Sequence, residues 1–415
     1  MMGPMRGRAI ALATSLTLVL VPGVAHAADT GTNASASDAR ITTKLAKRLH
    51  NVRLGKDVSV VVMNRDSGQL VFSTQPDARQ LPASNMKVVT ATTALTSLAP
   101  DTRFTTRVLS TGAPNDIVLQ GGGDTLLNRT QLRDLAAASA AGLDPAQPVT
   151  VHADVSRFGT PIRPQGWPST YVPSVVAPVT SLAMYGDYST DPTGHAVDAF
   201  ITKLRTLGFT VARGADVTSP ADAAEVAVAP GHSVTDAIAV MLRDSENNIA
   251  EVLFRQVAIA AGQPGTWAGA RTAATAILGN LGVDTTGLQL RDGSGLSRLD
   301  RLTAASLASV LRLTRTDARY APMYTENAMP IAGVSGTLAA KYGRFTTAHA
   351  KCAARTTRAK TGSLRDTIAL SGITTGADGQ EKVFSILVNH QPKRFSQLAT
   401  RQAVDGLVAT IAGCW

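Results

Sequence analysis

After its first two dozen residues the chain has no apolar run of the roughly 20 residues that a spanning helix needs, so nothing in the remainder marks an integral membrane protein. Cysteine is almost absent. Cys352 and Cys414 are the only two, and their spacing excludes a C-x-x-C metal or redox site, leaving either one bridge pinning the C-terminal segment or two buried thiols. The histidines beyond the leader, His50, His152, His195, His232, His349 and His390, form no His-x-x-x-His pair, which removes the zinc-peptidase class. No Gly-x-Ser-x-Gly occurs, so the α/β-hydrolase route to a nucleophilic serine is closed. No Arg/Lys-rich reading element is present and nucleic acid is not an expected partner. Aromatic residues make up only 4%, yet 44% hydrophobic residues are ample for a large core.

What is there begins with a leader. Arg6 and Arg8, an apolar run from about Ala9 to Val24, and Ala25-His26-Ala27 read as a signal peptide over residues 1–27, which predicts a secreted, extracytoplasmic protein with at most peripheral membrane association. Removing its two arginines from the formal +10 leaves +8, a charge suited to polyanionic wall polymers or lipid head groups, or simply to solubility. Residues 28–39, rich in Thr, Ser, Ala and Asp without apolar period, are expected to be a disordered leader.

The remaining length exceeds one ordinary domain. Residues 57–75 hold two β-rich runs around Asp66-Ser67-Gly68, the pattern of a hairpin. Apolar residues then recur at helical spacing from Met86 to Leu98, placing Ser84 at a helix start. Residues 104–232, with Gly121-Gly122-Gly123, scattered prolines and short β-like runs, predict an inserted loop-rich α+β domain. Helical periods return at 233–242, 248–261, 266–282 and 303–316, strand alternation at 366–374 and 382–389, and a helix from about 396 to 412 closes the chain. The expected catalytic domain is thus 40–103 joined to 233–415, and no internal repeat is visible.

Three short motifs each occur once and in order: Ser84-Asn85-Met86-Lys87, Ser245-Glu246-Asn247 and Lys360-Thr361-Gly362. Singly they are weak; together, at a helix start, a helix junction and a strand, they describe a nucleophilic site. A serine hydroxyl needs a neighbouring base, and a lysine three positions later on the same helix puts its amine beside that hydroxyl. Burial and a second cation, Lys360, would lower the pKa of Lys87 into a range where it can accept a proton. Ser245 can relay a proton to a leaving nitrogen and Asn247 can hold a substrate amide, without metal or cofactor. The strand bearing Thr361, Gly362 and Ser363 can pair with an extended peptide and hold a terminal carboxylate, and the backbone N–H groups of Ser84 and Ser363 are candidates for an oxyanion hole.

At these residues the chain resembles the D-Ala-D-Ala carboxypeptidase/endopeptidase family of low-molecular-mass (class C) penicillin-binding proteins. Pro82 to Lys87, Gly121 to Asp124, Asp244 to Glu251, Asp292 to Arg298, Ile331 to Leu338 and Arg358 to Leu364 all resemble that family's blocks. The resemblance implies the penicillin-recognising serine transpeptidase/β-lactamase-like fold, an antiparallel sheet flanked by helices. It also implies an acyl-enzyme on Ser84, release of the terminal D-Ala from peptidoglycan stem peptides, hydrolysis by water and covalent capture of β-lactam antibiotics. Two departures are visible: the Ser84 to Ser245 interval is short for members with two nested inserts, and Gly123-Asp124-Thr125-Leu126 lacks a proline usual in that block.

Other readings stay open at this level. A β-lactamase uses the same three elements and differs in deacylation rate, and a wall-binding β-lactam sensor would be acylated without turnover. Endopeptidase and transpeptidase activities differ from the carboxypeptidase only in what accepts or leaves. Asp124 reads as an Asx turn, Glu246 and Glu251 as exposed helix acids, and Asp292 to Gly295 as either a pocket-lining loop or a plain turn, with Arg298 as its anchor.

Overall fold

Of the chain, residues 35–159 and 163–415 are described by the computed structural model, with Gly3 alone before them. The expected signal peptide therefore falls outside the described residues. The first helix, α1 (Ala36–Arg48), starts inside the stretch expected to be a leader. Its polar composition misleads because Asp38, which reads as a solvated acid, is buried and ion-paired to Lys382 Nζ at 2.7 Å. Ser35 caps the helix by accepting from the Asp38 amide at 3.0 Å, and Ile41 and Leu45, one turn apart, are fully buried.

Strands β1 (Asp57–Asn64) and β2 (Leu70–Thr74) form the expected antiparallel hairpin. The helix α2 (Met86–Ser97) follows the short turn carrying Ser84. Next comes a second sheet built wholly from residues 106–229. Its strands are β3 (Thr106–Ser110), β4 (Asp116–Gln120), β5 (Val149–Asp154), β6 (Val211–Arg213) and β7 (Glu225–Ala229), ordered β6-β5-β4-β3-β7. The parallel pairs β4–β5 and β5–β6 each require a crossover, which α3 (Arg129–Ala140) and α4 (Pro192–Thr206) supply. The prolines and glycines of this region conceal α4, whose Pro192 stands in its first turn behind the capping Asp191, where proline is tolerated.

The chain then builds a helical layer from α5 (Val234–Asp244), α6 (Asn247–Ala260), α7 (Trp267–Asn280) and α8 (Ala304–Thr316). It returns to the first sheet with β8 (Thr357–Leu364), β9 (Thr367–Thr375) and β10 (Glu381–Asn389), and ends in α9 (Gln397–Ile411). That sheet is antiparallel throughout, ordered β2-β1-β10-β9-β8, so β8 is an edge strand.

Both faces of this sheet are covered, which is why Val60 to Met63 reads as a continuous apolar run. Along β10, Phe384, Ile386 and Val388 enter one core with α1 and α9, while Val383 and Leu387 enter the other with α2 and α5–α8. At about 1.5–3 kcal/mol for each large side chain removed from water, these cores fix β8 against α2. Cys352 and Cys414 are bridged, with Cα atoms 6.1 Å apart, tying the segment before β8 to the end of α9.

Candidate active site

Ser84 lies in a single 3-10 turn, Ala83–Asn85, that runs directly into α2. The preceding Ala83 is fully buried at φ 45°, a left-handed conformation unusual for a residue with a side chain, so the surrounding packing must impose it. Two glycines do so. A Cβ on Gly295, itself at φ +83°, would lie 1.9 Å from the Ala83 carbonyl oxygen. A Cβ on Gly362 would lie 2.9 Å from both the Pro82 carbonyl oxygen and Asn85 Nδ2. The glycine of the Lys360-Thr361-Gly362 motif thus lets β8 close onto the nucleophile's own turn. Asn85 Nδ2 completes this junction by donating to the Lys360 carbonyl at 3.2 Å.

The three motifs meet here. Lys87 Nζ is 3.1 Å from Ser84 Oγ and donates to Asn247 Oδ1 at 2.8 Å and to the Ser294 carbonyl at 2.9 Å. Lys360 Nζ donates to Ser245 Oγ at 2.8 Å and to the Thr361 carbonyl at 2.9 Å. Ser245 ends α5 at φ 62°, and Glu246 then caps α6, so the Ser245-Glu246-Asn247 motif is the sharp junction between two helices. Asn247 Nδ2 donates to the Val175 carbonyl at 2.9 Å, linking the site to the segment that follows β5. Thr361 Oγ1 pairs with Thr337 Oγ1 at 2.7 Å, and Thr361, Gly362 and Ser363 line a cleft of about 260 Å³ together with Ser84 and Ser245.

Both lysines are fully buried. Burial pulls Lys87 down to about 8, opposed in part by Asp292, then Glu251 and Glu246. Burial also holds Lys360 well below the usual lysine range, and the charge of Lys87 adds to that. The arrangement can therefore deprotonate a hydroxyl near neutral pH and pass a proton through a second hydroxyl, with no metal needed.

Behind Lys87 lies a buried acidic platform that the sequence reading missed. Glu251 was expected on an exposed helix face and is instead fully buried on α6. Its carboxylate accepts from Trp267 Nε1 at 2.6 Å, Gly293 N at 3.2 Å and Ser294 N at 2.8 Å. Asp292 accepts from Trp167 Nε1, Gly295 N and Ser297 N, each at 2.7 Å. The loop Asp292 to Ser297 is thus a cradle whose Ser294 carbonyl is aimed at Lys87. Burial and the neighbouring Asp292 raise Glu251 to about 7, and burial raises Asp300, beside them, well above the carboxylate range. The signal was present in the spacing: Glu251 lies one turn beyond Asn247 on the buried side of α6, among Ile249, Ala250 and Leu253.

Glu246 is not a free acid either: it is half-buried, accepts from Asn248 N at 3.2 Å and meets the Tyr188 hydroxyl. Glu251 is fully buried behind Lys87 and does not line the cleft that holds Ser84 and Ser245. Asp124 does make an Asx turn, accepting from Leu126 N at 3.0 Å, and also meets His232 Nδ1 at 3.1 Å. Arg298 forms a two-pronged pair with Asp366, at 2.7 and 3.0 Å.

Comparison with known proteins agrees with this geometry. The family model described as "D-Ala-D-Ala carboxypeptidase 3 (S13) family" matches residues 41–189 and 184–411. The chain belongs to that family of serine-type DD-peptidases. Among relatives of this peptidase is the Carboxypeptidase DacB of Mycolicibacterium smegmatis, 32% identical over 90% of this chain and 84% of that protein. The D-alanyl-D-alanine carboxypeptidase of Actinomadura sp. is 28% identical over 98% of this chain and 92% of its own length. In three dimensions the peptidase is similar to penicillin-binding protein 4 of Haemophilus influenzae, with a TM-score of 0.78 over 89% of this chain and 99% of the other at 21% identity. At that identity the likeness speaks for the penicillin-recognising fold.

Proposed function

We propose that this DD-peptidase removes the terminal D-Ala of peptidoglycan stem peptides through an acyl-enzyme on Ser84. The observation that carries the reading is a fully buried Lys87 amine 3.1 Å from the Ser84 hydroxyl. In this reading neutral Lys87 takes the Ser84 proton as Oγ bonds to the carbonyl carbon between the two D-Ala residues. Backbone N–H groups of Ser84 and Ser363 receive the developing oxyanion. The C–N bond then breaks as Ser245, hydrogen-bonded to Lys360, delivers its proton to the leaving nitrogen and takes the former Ser84 proton from Lys87, so that Lys87 is neutral again and free D-Ala departs. Water attacks the ester, giving up its proton to Lys87 or through a relay, and the shortened peptide leaves. Asn247 holds the amide on the acyl side, and Thr361, Gly362 and Ser363 hold the substrate's main chain and carboxylate.

A β-lactam would follow the first half of this path, but its ring opening expels no separate amine, so the ester persists. The chain has the properties such a wall enzyme requires. Its family acts on peptidoglycan, outside the cytoplasm, and no helix among the described residues is long and apolar enough to cross a membrane. We further propose that residues 1–27 direct export and are removed, and that 104–232 are an inserted domain within the catalytic one.

The test is D-Ala release from a stem peptide ending in D-Ala-D-Ala, with wild type and Ser84→Ala, alongside mass spectrometry after penicillin treatment. Release by wild type alone, with a long-lived adduct on Ser84, is the expected result. Equal release by both proteins refutes the nucleophile, and rapid liberation of penicilloate would make the protein a β-lactamase.

A further inference from the structure

The cleft in front of Ser84 continues to a wall that the reaction above leaves unused, lined by Tyr342, Arg344 and Arg401. The two arginines differ. Arg344 is buried and committed: its guanidinium grips Asp405, with Nε 3.0 Å from Oδ2, and Phe345 N donates to the same carboxylate at 3.0 Å. Arg401 is half-buried and has no ion-pair partner among the described residues. Its one side-chain hydrogen bond goes to Gln397 Oε1 at 2.9 Å, one turn earlier on α9. Gln397 in turn donates to the Leu364 carbonyl at 2.7 Å, which fixes Arg401 beside the end of β8. Asp405 answers Arg344 alone, so this wall carries a net positive charge, and no acid lines the cleft to answer it.

The wall's place relative to Ser84 gives it meaning. Ser245, the proposed proton donor to the leaving nitrogen, opens onto this cleft, whereas Asn247, assigned to the acyl-side amide, does not line it. Thr361 and Ser363 on β8 are already assigned above to the carboxylate of a departing D-Ala. An unpaired guanidinium lining the same cleft suits a second carboxylate, with the planar fork that such a group prefers.

We propose that Arg401, steered by Gln397 and held off Asp405 by Arg344, is a specificity determinant for leaving groups that carry a carboxylate beyond the one next to the scissile nitrogen. Such leaving groups are peptides, as in a cross-linked stem dimer, and Arg401 sets the preference among them. Partial burial and the nearby Arg344 lower the pKa of Arg401, the direction expected for a cation that lacks its counterion, with Asp405 only partly offsetting them.

The inference rests on the proposed peptidase reaction, and its test separates the two. Wild type, Arg401→Gln and Arg401→Lys are each given three substrates: a stem peptide ending in D-Ala-D-Ala, a cross-linked dimer with a free carboxylate on its amine-donating strand, and the same dimer amidated there. Thermal midpoints of all three proteins report folding. Arg401→Gln should lose about tenfold more kcat/KM on the acid dimer than on the stem peptide, a difference of about 1.4 kcal/mol, and Arg401→Lys should recover part of it. Wild type should prefer the acid dimer to its amide, and Arg401→Gln should not. Equal losses on all three substrates overturn the proposal, because Arg401 then supports the site in general. Intact D-Ala release without any dimer cleavage by wild type overturns it too, whereas loss of Ser84-dependent D-Ala release would remove the underlying reaction instead.

Discussion

If neutral Lys87 is the base, acylation must follow its titration. An ordinary lysine near 10.5 is only about 0.03% neutral at pH 7, whereas one at about 8 is about 9% neutral, so burial raises the reactive population by about 300-fold. Protonation is complete on the acid side of this pKa and is lost as pH rises through it, so the rate climbs with pH. The second-order rate constant for acylation by a fluorescent penicillin, followed by stopped flow or quenched-gel assay, should increase about ninefold from pH 6 to 7 and about fivefold from pH 7 to 8, and should level off above about 9. Spontaneous hydrolysis of the antibiotic is subtracted, and a melting curve at each pH confirms that the fold is intact. A profile flat between pH 6 and 9, or one that falls, would refute Lys87 as the base and shift attention to Lys360 and Ser245.

Two other perturbations probe the surroundings. Glu251→Gln removes a carboxylate that favours protonated Lys87, so the rising limb of the same profile should move to lower pH while maximal acylation falls, because the Gly293 and Ser294 amides lose their anionic acceptor; an unmoved limb would show that Glu251 does not couple to Lys87. Reducing the Cys352–Cys414 bridge, which closes a 62-residue separation, should cost at most about 4 kcal/mol by the chain-entropy model and lower the melting temperature, and identical melting with and without reductant would show that the bridge constrains nothing.

The sequence disclosed the candidate reacting groups, which the fold brings together, more readily than their supports. Ser84, Lys87, Ser245, Asn247 and Lys360 are legible because each motif carries a chemical requirement in residue type and spacing, and the hairpin and closing elements are legible from their apolar periods. Glu251 is not, because an acid on a helix is normally solvated, and only the tertiary fold reveals Trp267 and the Asp292 to Ser297 loop that enclose it. The sequence places Gly362 only in a strand able to pair with a peptide, whereas its missing side chain makes room for Pro82 and Asn85, a contact bridging 280 residues of chain. Arg344 and Arg401 belong to no motif; α9 carries Arg401 to the cleft by its contact with the end of β8, and its Asp405 holds Arg344 there.

The pairing of β1 with β10 carries a consequence for how the enzyme comes into being. Val60 lies opposite Ile386, so the strand that precedes the nucleophile acquires one of its two neighbours only when nearly the whole chain has been made. Contacts between such distant segments form slowly. An unfinished chain would present the Ser84 segment without β8, Lys360 or the Gly362 contact that shapes its turn. With Lys360 in the role proposed for it, the site of this peptidase is complete only when the final strands of the sheet are in place.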